Sequence, residues 1–162
     1  MSREQILMAI NKDSKVTADE LAKRLGSDAA TIEAELKAME QEGIICGYPT
    51  LINWDKTDYE VATAMIEVKV APQRGLGFDK IAERIYRFDE VTSVYLISGS
   101  CDLCVIIEGK SMKEIANFVT SKLSPLESVL STATNFILKK YKDNGVVLAE
   151  PQNEDERMMI TP

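Results

Sequence analysis

The sequence predicts an α+β protein made of two small domains. Three observations carry that prediction. Three helical patterns crowd into the chain before Gly43, with little more than Gly26 and Ser27 between the second and the third. From Val61 onward, hydrophobic periods of two and of 3.6 alternate in the order strand, helix, strand, strand, helix, strand. Between the two regions lies a polar stretch, Asp55 to Glu60. The expected organisation is a first domain over 1–53, a linker over 54–60, a second domain over 61–144 and an acidic tail over 145–162.

The first helix carries Ile6, Leu7 and Ile10 at helical spacing. The second opens on Thr17-Ala18-Asp19-Glu20, the spacing of a capping box, in which the Thr hydroxyl accepts from the Glu20 N–H and the Glu side chain reaches back. Leu21, Ala22 and Leu25 form its apolar stripe, and Gly26 suits a helix stop. Asp28 fits the N-cap of the third helix. Its buried face is Ile32, Leu36 and Met39, and Gly43 ends it. The short connection between helices two and three is that of a helix-turn-helix. Ile44 to Ile52 reads as two short extended pieces around Gly47-Tyr48-Pro49, which makes a small wing. A plain three-helix bundle shares the helical part of this pattern.

In the second region, Ala62, Ala64, Ile66, Val68 and Val70 alternate with Thr63, Glu67 and Lys69, as in a strand. A loop follows over Pro72 to Gly77, whose Gly75 and Gly77 relax a turn. Phe78, Ile81, Ala82, Ile85 and Phe88 make a helical stripe. Val91 to Ser98 is a β-branched strand, Gly99-Ser100-Cys101-Asp102 a turn, and Leu103 to Glu108 a buried strand. Met112 to Leu123 is a helix with Ile115, Phe118, Val119 and Lys122 at helical spacing. Pro125 ends that segment, and Ser128 to Lys140 is the last strand. The order β-α-β-β-α-β is that of the ferredoxin-like fold, a four-stranded antiparallel sheet with both helices on one face. The other face then needs a partner, and two such sheets packed together would form a dimer.

Composition narrows the function. The chain of 162 residues is 45% hydrophobic and 28% charged, with a net charge of −7. Residues 1–60 hold 7 basic and 12 acidic side chains, 61–144 hold 11 and 10, and 145–162 hold 1 and 4. This runs against the electrostatic footprint of a nucleic-acid binder. Histidine is absent, which removes the commonest general base and metal ligand. No run approaches the ~20 apolar residues that span a bilayer, and the start has no signal-peptide pattern. A cytoplasmic protein without a membrane partner is expected. Three cysteines, Cys46, Cys101 and Cys104, do not make a secreted disulfide framework.

Cys101-Asp102-Leu103-Cys104 has CxxC spacing, but it leads into a strand and no second pair or His completes a zinc set. Buried small hydrophobes are the expectation. Asp102 has two readings: a turn residue satisfying backbone, or an acceptor for a ligand's ammonium group. Thr132 and Thr134 share one face of the last strand, either as strand formers or as ligand contacts.

Several stretches in order resemble the leucine-responsive and asparagine-responsive (Lrp/AsnC) transcription regulators, over roughly residues 1–142. They are Glu20-Leu21-Ala22-Lys23-Arg24-Leu25-Gly26, Glu40 to Ile45 followed by Gly47-Tyr48, Gly99-Ser100-Cys101-Asp102-Leu103 and Val129 to Leu138. The resemblance implies double-stranded DNA as a partner. It implies homodimers through the sheets that assemble to octamers, and an amino-acid-like effector, with no other cofactor, bound between C-terminal domains. Residues expected at DNA are Lys15, Thr17, Lys23, Arg24, Ala30, Thr31, Glu33, Ala34, Lys37 and Tyr48, with Lys12 and the N-termini of helices two and three as further phosphate contacts. Those expected at the effector are Gly99, Ser100, Cys101, Asp102, Thr132 and Thr134. The family's recognition helix usually carries several arginines, whereas Lys37 is the sole cation over 30–38 here. Weak base reading is left to Thr31, Glu33 and the Ala methyls, with affinity raised by avidity. The alternative is a metabolite-sensing oligomer whose degenerate helix-turn-helix acts through protein partners. No nucleophile with a base and no metal-spaced carboxylate cluster supports a catalytic or metal site.

Overall fold

The structure, a computed structural model, describes residues 2–71 and 77–149. The chain divides into two compact units between Thr50 and Leu51. In the first, α1 spans Arg3–Lys12, α2 Ala18–Leu25 and α3 Ala29–Gln41. Local chemistry sets these ends. Ser2 and Gln5 form a capping box on α1, and Thr17 and Glu20 form another on α2. Gly26 closes α2 at φ 64°, a left-handed conformation that costs a residue with a Cβ roughly 1–2 kcal/mol. The Asp28 carboxylate caps α3. Ile6, Leu21, Ile32 and Met39 are fully buried where the three helices meet, and Ala22 and Ile45 join them. Each such large side chain contributes roughly 1.5–3 kcal/mol through burial.

The two strands expected over 44–52 are not formed. The chain there carries no strand. Ile44 and Ile45 both donate to the Met39 carbonyl, and Pro49 has no N–H to give to a ladder. The wing segment is instead tethered by its side chain at Tyr48. The polar stretch holds a 3₁₀ turn, Trp54–Lys56, and Trp54 packs its ring on Tyr59 at 5.2 Å.

The second unit has strands β1 (Ala62–Val70), β2 (Val91–Leu96), β3 (Leu103–Gly109) and β4 (Val129–Ile137), with helices α4 (Gly77–Tyr86) and α5 (Met112–Phe118). The sheet order is β2-β3-β1-β4 with every neighbour antiparallel, as the ferredoxin-like fold requires. Ala64, Ile66, Val68 and Val70 of β1 and Leu103, Val105 and Ile107 of β3 meet Ile81 and Ile85 of α4 and Ile115 and Phe118 of α5 in one core. Phe88 stands edge-on to Phe118 at 5.4 Å. The opposite sheet face presents Met65, Glu67, Cys104, Ile106, Ala133 and the exposed Tyr95.

Three differences from the sequence reading have physical causes. The helix expected to run from Met112 to Leu123 changes to a π-turn at Val119–Leu123. The hydroxyls of Thr120 and Ser121 donate to the carbonyls four residues back, Ala116 and Asn117, a competition that distorts the ladder. Lys122 is not on the apolar stripe; it pairs with Glu90 and lies over the Phe88 and Phe118 rings at 5.8 and 5.6 Å. Thr63 keeps the face opposite Ala62 and Ala64, as its alternation predicts, and is buried there. A small hairpin joins β5 (Lys142–Asp143) to β6 (Val146–Val147) through Asn144 and Gly145 at φ 44° and 82°. An Asn-Gly pair supplies that geometry readily. The boundary expected at 144/145 falls inside this hairpin. The loop over 72–76, including Gly75, and the tail over 150–162, including Met158-Met159-Ile160, lie outside the described residues.

Candidate nucleic-acid interface and effector turn

The helix-turn-helix is assembled from α2 and α3. Burial of Ile32 and Met39, with Leu36 packed beside them, turns Ala30, Glu33, Ala34 and Lys37 outward at i, i+3, i+4 and i+7. All four are exposed, as are Lys12, Lys15, Thr17, Lys23, Arg24, Thr31 and Tyr48.

Three of these side chains already have partners. The Thr17 hydroxyl accepts from Glu20 N–H at 3.3 Å, inside the α2 capping box. The Thr31 hydroxyl donates to Asp28 Oδ2 at 2.7 Å, and its backbone N–H donates to Asp28 Oδ1 at 2.9 Å. These two bonds hold the Asp28 carboxyl below its ordinary value. Thr31 is left with lone pairs, so it can accept from a base amino group. Asp28 also fills the N-terminus of α3, and Asp19 and Glu20 lie in the first turn of α2. A phosphate meets carboxylates at both helix starts, which weakens the anion-binding role expected there. The Tyr48 hydroxyl donates to Glu40 Oε1 at 2.8 Å, and that bond raises its pKa.

Sequence reasoning missed Arg3. Its guanidinium donates to Glu35 at 2.7 Å and to both oxygens of Glu42 at 2.8 and 3.1 Å, tying α1 to α3. The Glu42 carboxyl is held low by that contact. Of the acids Glu33, Glu35, Glu40 and Glu42, three are thus bound within the unit, and Glu33 stays on the outward face. No local spacing signals this, because the partners are 32 and 39 residues away.

At the effector turn, Gly99 and Ser100 are exposed, Cys101 is buried and Asp102 is half-buried. Asp102 is bonded across the sheet three times. Its N–H donates to Val68 O at 3.1 Å, its carbonyl accepts from Ile97 N–H at 3.0 Å, and its carboxylate Oδ2 accepts from Val70 N–H at 2.9 Å. The last bond lies beside the register shift between Lys69 and Val70. The backbone-satisfying role is therefore present, through β1 rather than through the turn's own residues. The bond from Val70 engages Oδ2 and leaves Oδ1 as the second acceptor atom. Thr132 pairs with Val68 on the far side of β1, and its hydroxyl lies 3.4 Å from that of Ser124. Thr134 sits opposite Ile66, two residues further into the sheet. Asp102 and Thr132 thus share one end of the sheet with β1 between them.

All three cysteines are free thiols. Burial, then Cys101 and Glu67, push the Cys104 thiol up, away from the thiolate that redox or metal work needs. Among the described residues no group of His, Cys, Asp or Glu could hold a metal ion, and no helix is long and apolar enough to cross a membrane.

Two cavities open at the opposite end of the sheet, and none of the six effector-turn candidates lines them. The larger, 430 Å³, is bounded by Trp54, Tyr59, Lys110, Met112, Ile137 and Leu138, among others. The smaller, 80 Å³, adjoins it and includes Asn53, Lys139, Lys140 and Leu148.

Comparison with known proteins gives two family matches: a Lrp/AsnC ligand binding domain over residues 63–147, and a winged helix-turn-helix DNA-binding domain over residues 2–45. The HTH-type transcriptional regulator YugG of Bacillus subtilis is 47% identical over 159 residues, covering 98% of this chain and 95% of that protein. The HTH-type transcriptional regulator LrpA of Pyrococcus horikoshii is 29% identical over 141 residues, 86% of this chain and 97% of that one. The transcriptional regulator NMB0573 of Neisseria meningitidis, solved as an L-Met complex, superposes with a TM-score of 0.70 at 21% identity, covering 94% of this chain and 97% of that one.

Proposed function

This chain belongs to the Lrp/AsnC family of transcriptional regulators, and from that membership we propose that it is a sequence-reading DNA regulator whose C-terminal unit responds to an amino acid. The observation that carries the reading is the outward face of α3. Ala30, Glu33, Ala34 and Lys37 are exposed together on a helix whose other side is locked by Ile32 and Met39.

Lys15, Lys23, Arg24 and Lys37 supply the phosphate contacts, which set register rather than sequence. Ala30 and Ala34 offer methyls to thymine, while Glu33 and the Thr31 lone pairs accept from amino groups of cytosine or adenine. With no arginine on α3, each half-site is weak, and a homodimer assembling to an octamer gathers affinity through several heads at once. The open sheet face around Met65, Ile106 and Ala133 supplies the dimer contact. In the effector site, Asp102 Oδ1 receives the ammonium group and the N–H groups near Gly99 and Ser100 take the carboxylate, with Cys101, Thr132 and Thr134 bounding the side chain. The protein works in the cytoplasm.

A second reading keeps the sensing oligomer but gives the helix-turn-helix a protein partner. It is favoured by the carboxylates at the starts of α2 and α3. Footprinting on the DNA upstream of its own coding region, over a salt series and with an amino-acid panel, separates the two. Protection of a defined segment at physiological salt supports the DNA reading. Indifference to duplex DNA even at low ionic strength overturns it.

A further inference from the structure

We propose that the C-terminal tail, residues 150–162, seats on the same chain's C-terminal unit, in the groove that runs from Lys139 and Lys140 to Trp54, Met112 and Leu138. The groove is open and mixed in lining: apolar side chains stand among Asp55, Glu60, Lys110, Lys139 and Lys140. Tyr59, Met112 and Leu138 are 57%, 50% and 83% exposed, and the two cavities along it share Trp54, Ile137 and Leu138.

Three observations select the tail as occupant. The described chain ends beside the groove: Leu148 lines the smaller cavity, and its carbonyl accepts from Asn53 Nδ2 at 3.1 Å. The tail sequence then matches the groove in order. Glu154-Asp155-Glu156 comes first and would meet Lys139 and Lys140, the second of which also pairs with Glu108 and Asp143; Met158-Met159-Ile160 follows and would meet Trp54, Met112 and Leu138. From Ala149 to Met158 an extended chain spans ~30 Å, ample for the distance along one small unit. The tail is also an accessory to the shared fold. The ligand-binding match stops at residue 147, and 141 aligned residues use up 97% of the Pyrococcus relative. The YugG alignment, by contrast, runs over 159 residues and so takes in most of 150–162. A seated tail straps the Trp54–Glu60 segment to the sheet edge.

Trp54 is the single tryptophan of the chain and lines both cavities, so its fluorescence reads the groove directly. Full-length protein is compared with a full-length variant carrying Met158→Asp, Met159→Asp and Ile160→Asp. The expected result is a red-shifted emission and loss of protection from acrylamide in the variant. Leu138→Asp, at the exposed groove wall, should produce the same loss with the tail intact. Identical emission and quenching in all three proteins would overturn the proposal. A mixed oligomer tests whose tail is bound: Trp54→Phe protein with a native tail is mixed with Trp54 protein bearing the three tail substitutions. Continued loss of protection supports seating within one chain, and restored protection assigns the groove to a second copy's tail and overturns it. None of these readouts depends on DNA binding.

Discussion

Replacing Asp102 by Ala and by Asn separates the two jobs that its position allows. Asp102→Ala removes the acceptor that Val70 N–H meets at 2.9 Å and leaves that donor unpaired at the end of β1, beside the half-buried position 102. A bond to a charged acceptor is worth about 1.5–3 kcal/mol, and partial access to water brings the expected loss to about 1–2 kcal/mol. In a unit of this size that lowers the melting temperature by roughly 5–10 °C. Asp102→Asn keeps an oxygen for Val70 but removes the charge that an ammonium group needs. Its stability should stay within about 0.5 kcal/mol of the parent, while amino-acid binding is lost. The assays are urea denaturation at fixed protein concentration, since assembly couples to stability, and calorimetric titration with a panel of amino acids including L-methionine. An Ala variant that unfolds at the parent's urea midpoint refutes the structural part. An Asn variant that binds amino acids with parental affinity refutes the ligand part.

Three further outcomes are expected. Lys37→Ala should weaken duplex binding about equally across sequences and reduce the salt slope by about 1, read from binding isotherms over a salt series. Ile32→Ala, in the fully buried centre of the first unit, should cost about 2–5 kcal/mol in thermal or denaturant unfolding, the range for a core isoleucine cut to the Cβ. Asp28 and Glu42 both have folded-state pKa values lowered from their ordinary 3.8 and 4.5, by Thr31 and Arg3 respectively. Their stabilisation is therefore complete above about pH 4.5 and is lost as acid takes the solution down through the lowered folded values. Asp28→Asn should keep the cap and flatten that acid limb in a pH series of unfolding midpoints.

What was legible in the sequence was what is decided within a turn of chain. Thr17 with Glu20, Asp28 with Thr31, and Gly26 at the end of α2 are contacts between close neighbours, and their residue types announce them. The β-α-β-β-α-β order was legible for a similar reason, since β1 carries a period of two and β2 and β3 read as short β-branched and apolar runs. The misses are mostly long-range. Arg3 finds Glu35 and Glu42 across more than thirty residues, and Asp102 finds Val70 N–H across 32, so no spacing rule reaches them. The π-turn depended on two hydroxyls choosing the carbonyls of Ala116 and Asn117 over solvent. The small hairpin is a different case: Asn144-Gly145 was a readable turn, overlooked because only two residues pair on either side. The candidate ligand end of the sheet was half legible. The turn at 99–102 was placed, but that β1 would run between Asp102 and Thr132 follows only from the strand order.

The hydrogen bond from Asn53 to the Leu148 carbonyl also bears on how such a chain can be rearranged. It brings the entrance and the exit of the second unit together, with the whole βαββαβ fold looped between them. A unit whose ends meet can be cut out and grafted as a cassette through a single junction, and its ends can be rejoined by a short linker and reopened elsewhere. Circular permutants reopened at the Asn144-Gly145 turn should therefore retain the sheet, and a foreign DNA-reading head spliced ahead of Leu51 should inherit whatever the cassette senses.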